Sequence, residues 1–258
     1  MSRYWRNKRA EEAKRNALLG TILPDIPGSV AIEIGAACNR KCPWCPQSGE
    51  LRRKSAFLPI ELFYKIVNEL NAVDYAGSFA FHIYNEPLLD ARIVDFTTYA
   101  RAKLPKSTIY IHTNGDLLTL DLWRKLRQSG LTKIHVNQYD GKITDRIKNI
   151  VAQLSEEEKK VFGVFKFRQT QVCNRAGLVK TANKVPIAKR CRRMRQLCID
   201  YRGNVVLCCN DYLAAVSVGN VKDKGVIELY NDPLMKHYRH ELKHGRRAGL
   251  KLCDKCDL

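Results

Sequence analysis

Three cysteines, Cys38, Cys42 and Cys45, stand in the run EIGAACNRKCPWCP, directly after an apolar stretch. Thiolates are soft ligands, and three at this spacing suit an iron–sulfur cluster or zinc. A cubane cluster has four irons, so three local thiolates leave one iron open to a further ligand. Electron-transfer ferredoxin runs differ, because they supply another Cys close by. The alternative is a structural zinc site with a borrowed fourth ligand, although such sites usually use paired C-x2-C knuckles. A second group, Cys191, Cys198, Cys208, Cys209, Cys253 and Cys256, lies towards the C-terminus, the last two as C-x2-C. A hairpin cysteine and a terminal C-x2-C can converge on one metal centre, again a cluster or a zinc knuckle.

The elements between these groups alternate. SVAIEIGA, SFAFHIY, STIYIHT, TKIHVNQ and GVFKFRQ read as strands. PIELFYKIVNEL, a segment from about 91 to 102 and one around LDLWRKLRQSG read as helices between them. Strands separated by helical crossovers imply a parallel sheet with its chemistry at the C-terminal strand ends. Both the first cysteine loop and the motifs YNEPLL and HTNGDLLT fall at such ends. The fold expected is α/β, a partial (β/α)6 TIM-like barrel. In CIDYRGNVVLCCND two short β runs flank a turn at Arg202-Gly203-Asn204, and a helix begins or is interrupted near Pro233. The organisation expected is a basic helical extension over 1–27, the barrel over 28–180, and a small β-hairpin/helix unit over 181–258.

The 258 residues carry a formal charge of +19. Lys236, Arg239, Lys243, Arg246 and Arg247 form one basic segment and the N-terminal stretch another. Such charge speaks of partners and solubility. It fits an anionic or carbohydrate-like small molecule, an acidic flavodoxin- or ferredoxin-type electron donor, or a solvated surface. Nucleic acid is not expected, because no aromatic–basic interleaving of the kind that stacks bases is present. No apolar stretch is long enough to cross a membrane, and the first residues lack the apolar centre of a secretory signal. A cytoplasmic protein is therefore expected, in which ten Cys serve metals rather than disulfides.

C-x3-C-x2-C after a first strand, with Trp44 before the last Cys, resembles the radical S-adenosylmethionine superfamily. The resemblance implies a [4Fe–4S] cluster on Cys38, Cys42 and Cys45 whose open iron chelates S-adenosylmethionine, and reductive cleavage to a 5′-deoxyadenosyl radical that abstracts hydrogen from substrate. YNEPLL resembles the family's GGEP element, with Asn85 in place of a Gly and Glu86 at the ammonium. The alternative for Glu86 is a capping carboxylate. Thr113 and Asn114 match the TNG element near the ribose, and Trp44 the aromatic by the adenine. His112, at the same strand end, is either a substrate contact or structural. C-x11-G-x4-C, from Cys191 through Gly203 to Cys208, resembles the SPASM and twitch auxiliary-cluster units. That implies a second [4Fe–4S] cluster on Cys191, Cys208, Cys253 and Cys256, with Cys198 or Cys209 as alternative ligands.

NRAG, 174 to 177, offers a fork suited to a carboxylate, phosphate or hydroxyl pair. Over nearly the whole chain, the order of motifs resembles twitch-type aminocyclitol dehydrogenases of aminoglycoside biosynthesis. This implies Arg175 and Tyr84 at the substrate and oxidation of a secondary alcohol to a ketone, with the auxiliary cluster taking an electron. The departures are Cys209 for an aromatic, Asn210 for an acidic residue that faces an amine, and Tyr139 for a histidine. A pocket without that carboxylate should not favour an amine. Cys209 also suits a second reading, radical epimerisation with its thiol as hydrogen donor. A third is a peptide-modifying enzyme of the same superfamily.

Overall fold

The computed structural model describes residues 24–168, 172–185 and 189–258. The basic helix expected near the N-terminus lies outside them. Eight strands form one sheet in the order β5-β4-β3-β2-β1-β6-β7-β8. They are β1 Ser29–Ile32, β2 Ser78–Ala80, β3 Thr108–Thr113, β4 Lys133–Gln138, β5 Phe162–Lys166, β6 Gln196–Ile199, β7 Asn204–Val206 and β8 Ser217–Asn220. The first six run parallel, and β7 and β8 join antiparallel. The sheet is open, with β5 and β8 at its edges. The sixth parallel strand comes from the segment read as the first arm of the C-terminal hairpin. Its Gln196 lies opposite Ser29 of β1, so the sheet runs unbroken from the barrel strands into the hairpin.

The helices are α1 Ile60–Ala72, α2 Ile93–Lys103, α3 Leu120–Gln128, α4 Asp145–Ala152, the single turn α5 Glu156–Lys159, α6 Val226–Tyr230 and α7 Pro233–Lys243. Pro233 begins α7 rather than kinking one longer helix, since a proline at the first helical position forfeits no hydrogen bond. In α1 the apolar positions Phe63, Ile66, Val67 and Leu70 recur at helical spacing and all are fully buried. They meet alternate strand residues, such as Ile109 and Ile111 of β3, in the main core. The strands' other face is lined by small residues, Ala31, Ala80 and Cys198, beside Tyr110 and Cys209. Small side chains there leave room inside the barrel. No described helix is long and apolar enough to cross a membrane.

Candidate active site between two thiol clusters

The loop carrying Cys38, Cys42 and Cys45 leaves the end of β1 and has little regular structure of its own, so side chains must hold it. Arg52 donates to the carbonyls of Cys38 (2.5 Å), Arg40 (3.1 Å) and Gln47 (3.0 Å). Arg40 grips Asp116, beyond β3, with Nε (2.7 Å) and Nη2 (2.6 Å), and reaches Asp140, beyond β4, at 3.0 Å. A paired guanidinium–carboxylate contact of this kind fixes orientation as well as distance. Burial and the neighbouring Cys45 and Cys38 push the Cys42 thiol up to about 11. Thiolates so crowded need a cation among them. Trp44 stacks on Phe167 (centroids 4.2 Å apart) with Tyr139 at 6.4 Å.

Glu86 ties the ends of two strands together. Its carboxylate accepts from Thr113 Oγ1 (2.6 Å), from the Asn114 N–H (2.8 Å) and from the Leu88 N–H (3.1 Å), the last capping the short turn Pro87–Leu89. The capping role expected as the alternative is present, beside bonds to both Thr113 and Asn114 of the TNG turn. Glu86 is 4% exposed, and burial pushes its carboxyl up to about 7 against those three donors. The Asn114 side chain donates to Asn39 (2.7 Å) and lies 4.0 Å from Cys38 Sγ. Gly115 sits at φ +80°, where a Cβ would meet Val136 at 2.7 Å, so the third residue of TNG must be glycine. Asn85 turns inward, accepting from the Ile83 N–H and donating to the Phe81 carbonyl, both at 3.1 Å.

Cys191, Cys208, Cys253 and Cys256 line one cavity, whose apolar wall includes Met194 and Leu242. Burial, then Cys191 and Cys256, push the Cys253 thiol up to about 12. Among the described residues no three of His, Cys, Asp or Glu are drawn together as ligands of one ion are. Four thiols spread round a cavity leave room that suits a cubane better than a single zinc. Cys209 and Cys198 do not line this cavity. They face the barrel side, and Cys198 is fully buried. The basic segment over α7 and the turn after it divides: Arg239 covers the Tyr230 ring at 4.1 Å, and Arg247, 3% exposed, donates to the Cys256 carbonyl at 3.1 Å. Arg247 is thus a clasp on the terminal C-x2-C rather than part of a docking surface.

Tyr84 and Arg175 lie between the two thiol groups. Arg175 sits 5.6 Å over the Tyr84 ring, and burial, with Cys209, Cys208 and Cys45 nearby, shifts the Tyr84 phenol well upward against the opposing pull of the Arg175 guanidinium. Tyr84 Oη and Arg175 Nε are both buried without a hydrogen-bond partner among the described residues. Arg175 and Ala176 both adopt positive φ, 48° and 54°. Non-glycine residues so placed are strained and persist where their surroundings fix them. Here the preceding Asn174 is fixed. Its N–H reaches the Asp257 carboxylate at 2.9 Å, and its side chain donates to the Lys255 carbonyl at 2.6 Å. The loop that aims Arg175 is therefore anchored to the segment bearing Cys253 and Cys256.

Comparison with known proteins agrees with this layout. The family profile described as Radical SAM superfamily matches residues 32–160, and SPASM, an iron–sulfur cluster-binding domain, matches residues 191–257. The chain belongs to the radical SAM superfamily. As a member it is an enzyme with S-adenosylmethionine and iron–sulfur clusters as cofactors. A relative from Niallia circulans, S-adenosyl-L-methionine-dependent 2-deoxy-scyllo-inosamine dehydrogenase, is 26% identical over 233 residues, 88% of this chain and 92% of that one. The crystal structure of BtrN in complex with AdoMet and 2-DOIA is 25% identical with a TM-score of 0.84, covering 92% of this chain and 95% of that one. Streptococcus suis SuiB bound to precursor peptide SuiA shares the fold, at 16% identity and a TM-score of 0.54 over 98% of this chain and 75% of SuiB.

Several residues of this radical SAM site escaped the sequence reading. Glu33, 1% exposed, pairs with Arg53 at 2.7 Å and accepts the Tyr84 N–H at 3.0 Å, while Arg53 covers the Tyr212 ring at 4.0 Å. His82 and His135, also missed, join His112, which the sequence already singles out, on the barrel side. His112 and His135 are register neighbours joined by a 2.9 Å contact between ring nitrogens, and His82 Nδ1 accepts the His112 N–H at 3.0 Å. Burial lowers all three, His112 to about 4, so they are uncharged near neutrality. His112 is thus both structurally tied and on the wall of an open cavity with His135, Asn137, Phe165, Lys166 and Arg168. Matching positions on β3 and β4, with His82 just beyond β2, were the available signal.

Proposed function

We propose that this radical SAM enzyme oxidises a secondary alcohol on a cyclitol or sugar-like small molecule to a ketone. The observation that carries the reading is the pair of buried, unpartnered polar atoms, Tyr84 Oη and Arg175 Nε, between two sets of thiols. An unpaired buried polar group costs roughly 1–3 kcal/mol, and a bound hydroxyl would relieve both. In this reading Cys38, Cys42 and Cys45 hold one [4Fe–4S] cluster, and Cys191, Cys208, Cys253 and Cys256 hold another in the unit over 181–258. When bound, S-adenosylmethionine at the first cluster supplies the hydrogen-abstracting radical, and the second cluster supplies an acceptor for the remaining electron.

The chain's own residues do the rest. Glu86 and the Asn85 backbone would receive the ammonium, Thr113 and Asn114 would border the ribose, and Trp44 would border the adenine. Arg175 stays protonated, so its fork orients the hydroxyl and favours loss of the proton from that oxygen. The Tyr84 phenol stays neutral and serves as a second donor or acceptor. Exposed lysines receive an acidic flavodoxin- or ferredoxin-type donor. The N. circulans relative, named for an amine-bearing cyclitol, supports the substrate class, while Asn210 argues against an amine at that position.

Cys209 supports a second reading, epimerisation, because its thiol faces the barrel beside Ala31 and Ala80. Turnover in deuterated water with a panel of cyclitols and sugars separates the two. Oxidation removes two hydrogens from the product, whereas epimerisation adds one deuterium. If 5′-deoxyadenosine accumulates with every substrate unchanged in mass and unlabelled, both readings fail.

A further inference from the structure

Asn210 is 1% exposed and touches both halves of the site. Its Oδ1 accepts from Arg175 Nη1 at 3.3 Å and lies 3.8 Å from the Cys173 thiol. Its Nδ2 lies 3.5 Å from Cys256 Sγ, and its backbone N–H lies 3.4 Å from Cys208 Sγ. The amide orientation is forced by chemistry. A guanidinium can only donate, so the oxygen must face Arg175, and a thiolate can only accept, so the NH2 must face Cys256. One residue thus gives an N–H to two of the four cavity-lining sulfurs and holds the arginine that faces the buried gap.

We infer that Asn210 is a positioning residue that sets the reduction potential of the auxiliary cluster and holds Arg175 against it. The inference rests on the two-cluster reading above. Hydrogen bonds to cluster sulfurs draw electron density from the thiolates, stabilise the reduced state and raise the potential. An acceptor that must take an electron from a substrate radical gains from a higher potential. An aspartate could not make this bridge, because its second oxygen would face a thiolate. Asn210 therefore exchanges a charge aimed at substrate for a hydrogen bond aimed at the cluster.

The test uses the full chain, loaded with iron and sulfide without oxygen, and redox titration followed by electron paramagnetic resonance. The first cluster serves as internal control. Asn210→Asp keeps an oxygen for Arg175 and deletes the N–H to Cys256, while Asn210→Ala deletes both contacts. The expected result is a fall of the auxiliary potential in both variants with the first cluster unmoved, and a raised substrate KM in Asn210→Ala beyond that of Asn210→Asp. An auxiliary potential equal to wild type, or higher, overturns the inference. So does loss of the second cluster's iron in both variants, which would assign Asn210 to assembly alone. A wild-type protein that holds only one cluster would instead sink the two-cluster reading.

Discussion

The two thiol groups are built by opposite means. Cys38, Cys42 and Cys45 lie on one loop, close in sequence and only partly buried, and the loop is held by polar contacts to the ends of β3 and β4. Cys191, Cys208, Cys253 and Cys256 come from three separate stretches and meet only because the hairpin, α7 and the C-terminal tail pack together. The first group offers three thiols with Asn114 and Glu86 at its side, a site left open for a ligand. The second offers four thiols within apolar walls, a site closed to one. In the proposed reading, three local ligands would leave chemistry to be done at the metal, and four distant ones would make a protected store for an electron.

Removing one thiol from each group should produce the largest effects and the sharpest contrast. Cys42→Ala is expected to abolish reductive cleavage of S-adenosylmethionine, so that 5′-deoxyadenosine falls to background. Cys256→Ala is expected to keep that cleavage and lose the oxidised product. Chromatography of both products from the same reactions checks this. Equal loss of 5′-deoxyadenosine in the two variants would erase the distinction between an open and a closed site.

Next in size is Arg175→Ala. Arg175 is joined to Asn210, beside the second group of thiols. Its loss should lower kcat/KM for the alcohol about 10²–10³-fold, as for other buried groups that stabilise developing negative charge. Cleavage of S-adenosylmethionine without turnover of substrate should continue. Arg175→Lys should recover little, because an ammonium lacks the planar fork.

The unequal legibility of the two sites follows from the same contrast. The three-cysteine loop, Glu86 and the TNG turn are local motifs, and each stands where its strand end put it. The four cavity thiols were reached through a resemblance, because nothing in local pattern says that Cys191 meets Cys256. The sixth parallel strand was read only as a hairpin arm, since a short run such as QLCI carries no mark of the distant β1 it pairs with. Arg52, Asp116, Glu33 and Asp257 passed as ordinary charged residues. For Arg52 the partners are backbone carbonyls of an irregular loop, and for the others they lie farther along the chain, 83 residues away for Asp257 and Asn174. Arg247, read as surface charge, is buried for the same reason.

A smaller effect concerns the open site alone. Burial holds the Glu86 carboxyl near 7 rather than its ordinary 4.5. A group whose folded value is raised binds its proton more tightly in the native state, so its contribution to stability is complete below 4.5 and is lost as pH rises through about 7. Ligand binding runs the other way. The ammonium of S-adenosylmethionine needs the carboxylate, so affinity should weaken below neutrality, by up to about tenfold per pH unit. Equilibrium dialysis on either side of neutrality checks the slope. Glu86→Gln should bind more weakly and show no slope there. A slope that survives in Glu86→Gln would move the ammonium contact elsewhere.

The smallest expected effect tests Asn85, which stands where its family's GGEP element has the glycine before the glutamate. Asn85→Gly restores the glycine but removes two side-chain bonds, to the Ile83 N–H and the Phe81 carbonyl. Each such bond contributes about 0.5–1.5 kcal/mol net, and the added freedom of glycine in the unfolded chain costs about 0.5–1 kcal/mol more. The variant should therefore unfold at lower denaturant concentration by an amount worth about 1.5–4 kcal/mol. Its affinity for S-adenosylmethionine should stay the same, because the contact expected at this position is made by backbone and Asn85 has no positive φ to relieve. Denaturant melts alongside dialysis separate the two quantities. A stable variant with weakened binding would mean that the Asn85 amide itself, and not the peptide it braces, faces the ligand.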